Sequence, residues 1–346
     1  MIKHTTQNQK NYLTRFEFIL QGIARPISKS FPFQNISKIM RENYAFEKAR
    51  TIVPFFYYFM VIVALYRILD LSNIVNEGQR IFAPRWPIFW ADYLHYLTVI
   101  DIVHVFFILA TLTGAFFYRH RAGRFIVFLG ILEYHALRNS FGVTYHNWDI
   151  WVWIALLFIF LPDAWGSAHK SPRKRKRFLL IFWGAQAFVL LMYSMSGMWK
   201  IIAAAGQYLN GEASAVSFDA FSLHISTQLN IFPETMTSML GPLIINYPLL
   251  GWLPLIAIIY LQSFSFFIAF RPSLHSIWAL GLILFHVGAY LTIGAEFFQH
   301  IPFLLFLFLD SPFRDPRASW RQTIADLPIF GWILGYLPKR NITNAV

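Results

Sequence analysis

Arg173-Lys174-Arg175-Lys176-Arg177 runs directly into Phe178-Leu179-Leu180-Ile181-Phe182-Trp183, and no further formal charge occurs until Lys200. A helix needs about 20 predominantly apolar residues to cross a hydrocarbon layer about 30 Å thick. Residues 178–200 meet that requirement, and the cationic block before them is what a loop held at the cytoplasmic face carries. Runs of similar character lie near 52–70, 93–118, 125–141, 147–162, 249–270, 274–294 and 297–311. The runs at 125–141, 147–162 and 297–311 are short or rich in polar groups, so they require shielding by neighbouring helices. The pattern predicts an all-α polytopic integral membrane protein with about eight transmembrane helices.

Composition agrees. Of 346 residues, 57% are hydrophobic, 19% aromatic and only 13% charged, about half the charged fraction of an ordinary soluble domain. The formal net charge of +12 is distributed as short blocks between apolar runs, which argues against a nucleic-acid surface and for contact with membrane lipids. Lys plus Arg number 9 in residues 1–50, 3 in 119–124, 6 in 170–177, 1 at Arg271 and 5 in 314–340. With eight spans and both termini cytoplasmic, those 24 all fall inside, and only Arg80 and Arg85 fall outside. The remaining three, Arg67, Arg138 and Lys200, sit within or at the ends of spans. The expected location is a cell inner or plasma membrane, with the functional side facing outward.

Residues 1–50 are expected to form a basic cytosolic arm with interfacial helix character around Phe16 to Ile23, without a cleavable signal pattern. Residues 51–312 form the membrane core and 313–346 a cytosolic tail. Within the core, residues 203–247 are too polar to span and too apolar for a free linker, which predicts a re-entrant or lid-like segment over the outer mouth. There is no internal repeat. With no cysteine in the chain, disulfides, thiolate metal sites and Cys nucleophiles are excluded. Metal-binding helices, a phosphate loop and a nucleophile elbow are likewise not apparent.

Ionisable groups inside spans are costly and are the natural candidates for function. They are Asp101 and His104; Glu133, His135 and Arg138; Asp149; Lys200; His286; and, before the last span, Glu296 and His300. The predicted directions of the helices place several of them, with Asn147, in the outer half of the bundle, which suggests one cavity open to the outside. Each has a structural alternative. Asp101 and His104 are spaced to pair with each other, Arg138 to snorkel to headgroups, Glu133 to pair with a cation, Asp149 to cap the fourth span, and His286 to be a hydrogen-bonded core histidine. Lys200 follows Ser194-Met195-Ser196-Gly197-Met198-Trp199, a small-residue stretch that allows close helix approach. It either snorkels or occupies a secluded pocket, where it could act as a base.

Three stretches resemble a known family in order and spacing. The first is Ala136-Leu137-Arg138-Asn139-Ser140-Phe141 with His146-Asn147-Trp148-Asp149 and the run ending Phe160-Leu161-Pro162-Asp163. The second is Ser196-Gly197-Met198-Trp199-Lys200-Ile201 with Gln207-Tyr208-Leu209-Asn210-Gly211. The third is Phe285-His286-Val287 through Ile293-Gly294 and Phe297 to Asp310-Ser311-Pro312. Together they resemble the HTTM-domain proteins, whose membrane core is shared with vitamin K-dependent gamma-carboxylase. Trp199 and Trp148 stand where that carboxylase has a lysine and a histidine. The resemblance implies a reduced quinone (menaquinol or vitamin K-like) as cofactor, with oxygen and carbon dioxide as co-substrates and a peptide or small-molecule substrate reached from the outer side. It further implies that Lys200 is the base that deprotonates the quinol and that His286 orients or assists. Asn147 would hydrogen-bond a quinone oxygen, with Asp149, Arg138, His135 and Asp101 lining the quinol and substrate site. Two other classes fit the sequence: a transporter, and a non-catalytic assembly or lipid-binding partner.

Overall fold

A computed structural model describes residues 43–69, 82–142, 146–165, 171–231, 238–295, 297–314, 320–329 and 331. Helices and turns connect them, with no strand among the described residues. In chain order the helices are α1 (Asn43–Leu69), α2 (Tyr96–Phe117), α3 (Arg121–Asn139), α4 (Asp149–Ile159), α5 (Pro172–Leu209), α6 (Ala220–Ile231), α7 (Gly241–Asn246), α8 (Pro248–Ile268), α9 (His275–Ile293), α10 (Ile301–Phe303, continuing as a π-helix over Leu304–Leu309) and α11 (Trp320–Asp326). Short 3₁₀ turns at Ile88–Tyr93, His146–Trp148, Pro272–Leu274 and Phe298–His300 link them. Among the described residues, five helices are long and apolar enough to cross a membrane: α1, α2, α5, α8 and α9. The chain is an all-α membrane protein.

Antiparallel packing dominates. The α5–α8 and α2–α3 pairs are the most extensive, and α9 lies against both α8 and α10. Small residues set the spacing. A Cβ at Gly197 would stand 2.4 Å from the backbone nitrogen of Ser263, so α5 and α8 touch main chain to main chain there. This is the close approach that the Ser194–Gly197 stretch predicts. Gly114 and Gly130 play the same part between α2 and α3, where added Cβ atoms would meet Val127 at 2.2 Å and Ala110 at 2.6 Å.

One end of the bundle carries the cations. There Lys48 of α1 pairs with Asp310, and Arg124 of α3 is 2% exposed. The Arg124 guanidinium donates to the carbonyls of Tyr118 (2.8 Å), Arg119 (2.8 Å) and Leu161 (2.6 Å). It thereby ties the α2–α3 turn to the end of α4. Arg173 to Arg177 open α5 at the same end, since Phe46 and Trp165 pack edge-on against Phe178. The carboxylate of Asp326, at the end of α11, meets Arg271 and Ser273, and Tyr260 of α8 donates to Pro328 O at 2.7 Å. That seats the short α11 on the α8–α9 turn.

Several boundaries differ from expectation. Residues 43–50 belong to the first long helix and not to the preceding arm; residues 1–42, including the interfacial segment near Phe16 to Ile23, lie outside the described residues. Helix α5 extends to Leu209 rather than ending at Lys200, because nothing in Ile201–Tyr208 breaks a helix before Asn210 and Gly211 (φ +73°). The 203–247 segment is itself largely helical. Trp252 donates to Val216 O at 3.0 Å, which folds its first part back onto α8. Helix α4, with 11 residues, spans only about 16 Å, but Trp148, Trp151, Ile154 and Phe158 are buried against its neighbours.

Candidate functional site

Away from the basic end, the polar residues divide into two groups. The first is built on α5, α8, α9 and α10. Lys200 points back along α5, the direction that helical side chains favour. Its ammonium donates to Ser196 Oγ (2.8 Å), to the Ser196 carbonyl (3.4 Å), and across to Gln262 Oε1 of α8 (3.0 Å). Gln262 is 2% exposed, so its amide is fixed by packing and offers the amine a rigid acceptor. All three partners are neutral. Among the described residues no carboxylate pairs with Lys200. Lys200 is partly buried against α8: its hydrogen bonds to Ser196 are exposed and the one to Gln262 is part-buried.

Two turns below Lys200 on the same face of α5 is Tyr193, about 10 Å away along the axis. Its hydroxyl is 2.6 Å from His286 Nε2 of α9. His300 stacks edge-on against the His286 ring, with centroids 5.0 Å apart, and Phe297 packs at 5.8 Å. Tyr193, His286 and His300 are 6%, 2% and 8% exposed. His286 is therefore the hydrogen-bonded core histidine of the structural alternative, and its Nδ1 is buried without a hydrogen-bond partner. Tyr193 was invisible to a reading that weighed only groups charged near neutral pH. Helical spacing from Lys200 (seven residues, nearly two full turns) is the signal that finds it.

The second group lies among α1–α4. His135 Nε2 is 3.0 Å from Asp149 Oδ1, and His146 Nδ1 is 3.0 Å from Asp149 Oδ2. The Asn139 amide also lies 3.0 Å from His135 Nε2. Asp149 is the first residue of α4 and not its cap, and its carboxylate is engaged by the two imidazoles instead of the helix amides. Arg138 is 7% exposed and buried in the bundle, so it does not reach headgroups. Arg67, 8% exposed, lies over the Trp148 ring at 6.0 Å. His104 donates from Nδ1 to Ile100 O at 2.8 Å, the carbonyl one turn before it, and packs edge-on against Tyr134. It does not hydrogen-bond Asp101, which is exposed on α2. Glu133 forms no ion pair among the described residues. The Asn147 side chain and Glu296 lie outside the described residues.

The two groups approach each other where the His146–Trp148 turn packs on the Phe298–His300 turn. Beside them, a shallow apolar cleft is lined by Phe56, Phe59, Trp151, Phe303 and Phe306 with their aliphatic neighbours; Lys200 and His286 are not part of it. The expectation of one shared cavity thus resolves into two hydrogen-bonded clusters separated by aromatic packing. Among the described residues no set of three His, Asp or Glu side chains is arranged to hold a metal ion. Comparison of the chain with known protein families, with curated proteins and with solved structures finds no match to any of them.

Proposed function

We propose that the chain is an eight-span membrane enzyme, with both termini cytoplasmic, whose Lys200 serves as a base toward a lipid-soluble reduced quinone. The spans are α1–α5, α8, α9 and α10. The site then faces outward, and the chemistry resembles that of the gamma-carboxylase core: oxidation of the quinol by oxygen, coupled to proton abstraction or to carboxylation with carbon dioxide.

One observation carries the reading. Lys200 is partly buried, and its amine is held by a hydroxyl, a carbonyl and a buried amide, with no carboxylate against it among the described residues. A lysine kept for its charge is normally partnered by a carboxylate; this amine, once it has released a proton, would still be held by the same neutral groups and could accept one from a ligand. Water exclusion protects the reactive intermediates such chemistry generates. On this reading Tyr193 and His286, two turns deeper, would meet the ring of a ligand lying along α5.

The test is direct. Mass spectrometry of small molecules extracted from purified protein should find a quinone. Oxygen uptake with menaquinol should fall at least about a hundredfold in Lys200→Met, the loss typical of removing a positioned base, and only partly in Gln262→Leu. Protein that carries no quinone, together with unchanged behaviour of Lys200→Met, would exclude the enzyme and favour the non-catalytic partner. Solute flux through proteoliposomes would favour the transporter.

A further inference from the structure

The apolar cleft between α1 and α10 has a charged end. On α1, Lys48, Ile52, Phe56 and Phe59 share one face at helical spacing. Ile52, Phe56 and Phe59 line the cleft together with Phe303 and Phe306 of α10 and Trp151 of α4. One turn beyond Ile52, Lys48 Nζ donates to Oδ1 of Asp310, the residue that ends α10. Among the described residues the other oxygen, Oδ2, accepts no hydrogen bond, and the Asp310 side chain is 77% accessible. From Lys48 to Phe59, α1 rises about 16 Å, close to half of a hydrocarbon layer about 30 Å thick. Phe55, stacked on Phe306, and Leu305 are exposed beside the cleft, so it opens away from the bundle toward lipid.

We propose that the cleft and the ion pair at its end bind one phospholipid with a primary-amine headgroup, phosphatidylethanolamine. One acyl chain lies along the aromatic face of α1 and α10 for the depth of a leaflet. The headgroup ammonium donates to Asp310 Oδ2. The phosphate accepts from Lys48, whose ammonium has three donors and gives only one to Asp310. The headgroup is a cation and an anion joined by two carbons, and it meets an anion and a cation held side by side. Other common headgroups match only one of the two. Phosphatidylglycerol brings a phosphate but sets it against a carboxylate with no ammonium between them. The quaternary ammonium of phosphatidylcholine has no N–H to give to Oδ2. The Tyr44 ring, exposed and 5.7 Å from Lys48 Nζ, stands where tyrosines mark the lipid interface. The inference rests neither on the role given to Lys200 nor on the number of spans. It requires only that the cationic end of the bundle lies at headgroup level.

The test titrates full-length protein with phosphatidylethanolamine, phosphatidylcholine and phosphatidylglycerol of identical dioleoyl chains and counts bound lipid by native mass spectrometry. Phosphatidylethanolamine should bind about fivefold tighter than either of the others, the upper end for an exposed ion pair. Asp310→Asn, at an exposed position, should abolish the preference over phosphatidylcholine. Phe306→Ala, or Phe59→Ala should that variant not fold, should weaken the bound phosphatidylethanolamine while keeping its order over the other two. No preference for phosphatidylethanolamine, or a preference that survives Asp310→Asn, overturns the proposal. Tightest binding of phosphatidylglycerol also overturns it, because the cationic end would then attract any anionic lipid. Binding unchanged in the phenylalanine variant overturns the cleft as the seat of the acyl chain.

Discussion

Arg124 and Lys48 show how differently two cations at the same end of the bundle are used. Arg124 is sealed in and hydrogen-bonds three carbonyls, those of Tyr118, Arg119 and Leu161. Arg124→Met would remove all three bonds, two of them buried, and should cost about 3 kcal/mol, read as a lowered midpoint of thermal unfolding in detergent. Lys48 meets an Asp310 side chain that is 77% accessible. Lys48→Met should therefore change stability by no more than about 1 kcal/mol. Such distinctions were not legible in the sequence, where both residues simply counted toward a positive inner face. Lys200 was singled out there because it interrupts an otherwise polar-poor run near a small-residue stretch. Its partner Gln262 was not, since a neutral amide in an apolar helix draws no attention until a facing residue is known. The same holds for Asp149, whose position suggested a helix cap and whose real partners come from α3 and from the turn before it.

At the scale of elements, the apolar runs were readable because crossing a membrane demands a minimum length, and that demand leaves a mark in the sequence. Helix ends were less so. Helix α5 continues past Lys200 because a helix stops only at a breaker, and a charge is not one. The packing of helix pairs was partly legible, through glycine placement. Gly197 meets the Ser263 main chain, whereas Gly281 of α9 meets only the tip of the flexible Leu261 side chain, at 2.9 Å. Gly197→Ala should thus cost more than Gly281→Ala, by about 1–3 kcal/mol, the range for overpacking a tight contact. Thermal unfolding of the two variants side by side checks the order. A reversed order would mean that α5 and α8 are free to separate.

For the whole molecule, the chain's lack of cysteine makes topology testable without background. Single substitutions Lys174→Cys and Glu212→Cys should react with a membrane-impermeant maleimide from opposite sides of sealed vesicles, Lys174→Cys only from the cytoplasmic face. Reaction of both from one side would remove α5 from the list of spans. The all-α membrane character was available from hydropathy, a property of segments. The internal site was not, because it depends on which helices are neighbours, and a single sequence states no neighbours.

Helix α5 is a continuous rod of 38 residues, about 57 Å, nearly twice the depth of the hydrocarbon. Its cationic foot is Arg173 to Arg177, which the proposed topology puts among headgroups, and Lys200 follows about 34 Å further along the axis. On the proposed topology the rod works as a ruler. The height of the amine is fixed from below, so the acyl-chain length of the surrounding lipid decides whether Lys200 meets hydrocarbon or water. The same protein would be dry at its amine in a thick bilayer and wetted in a thin one.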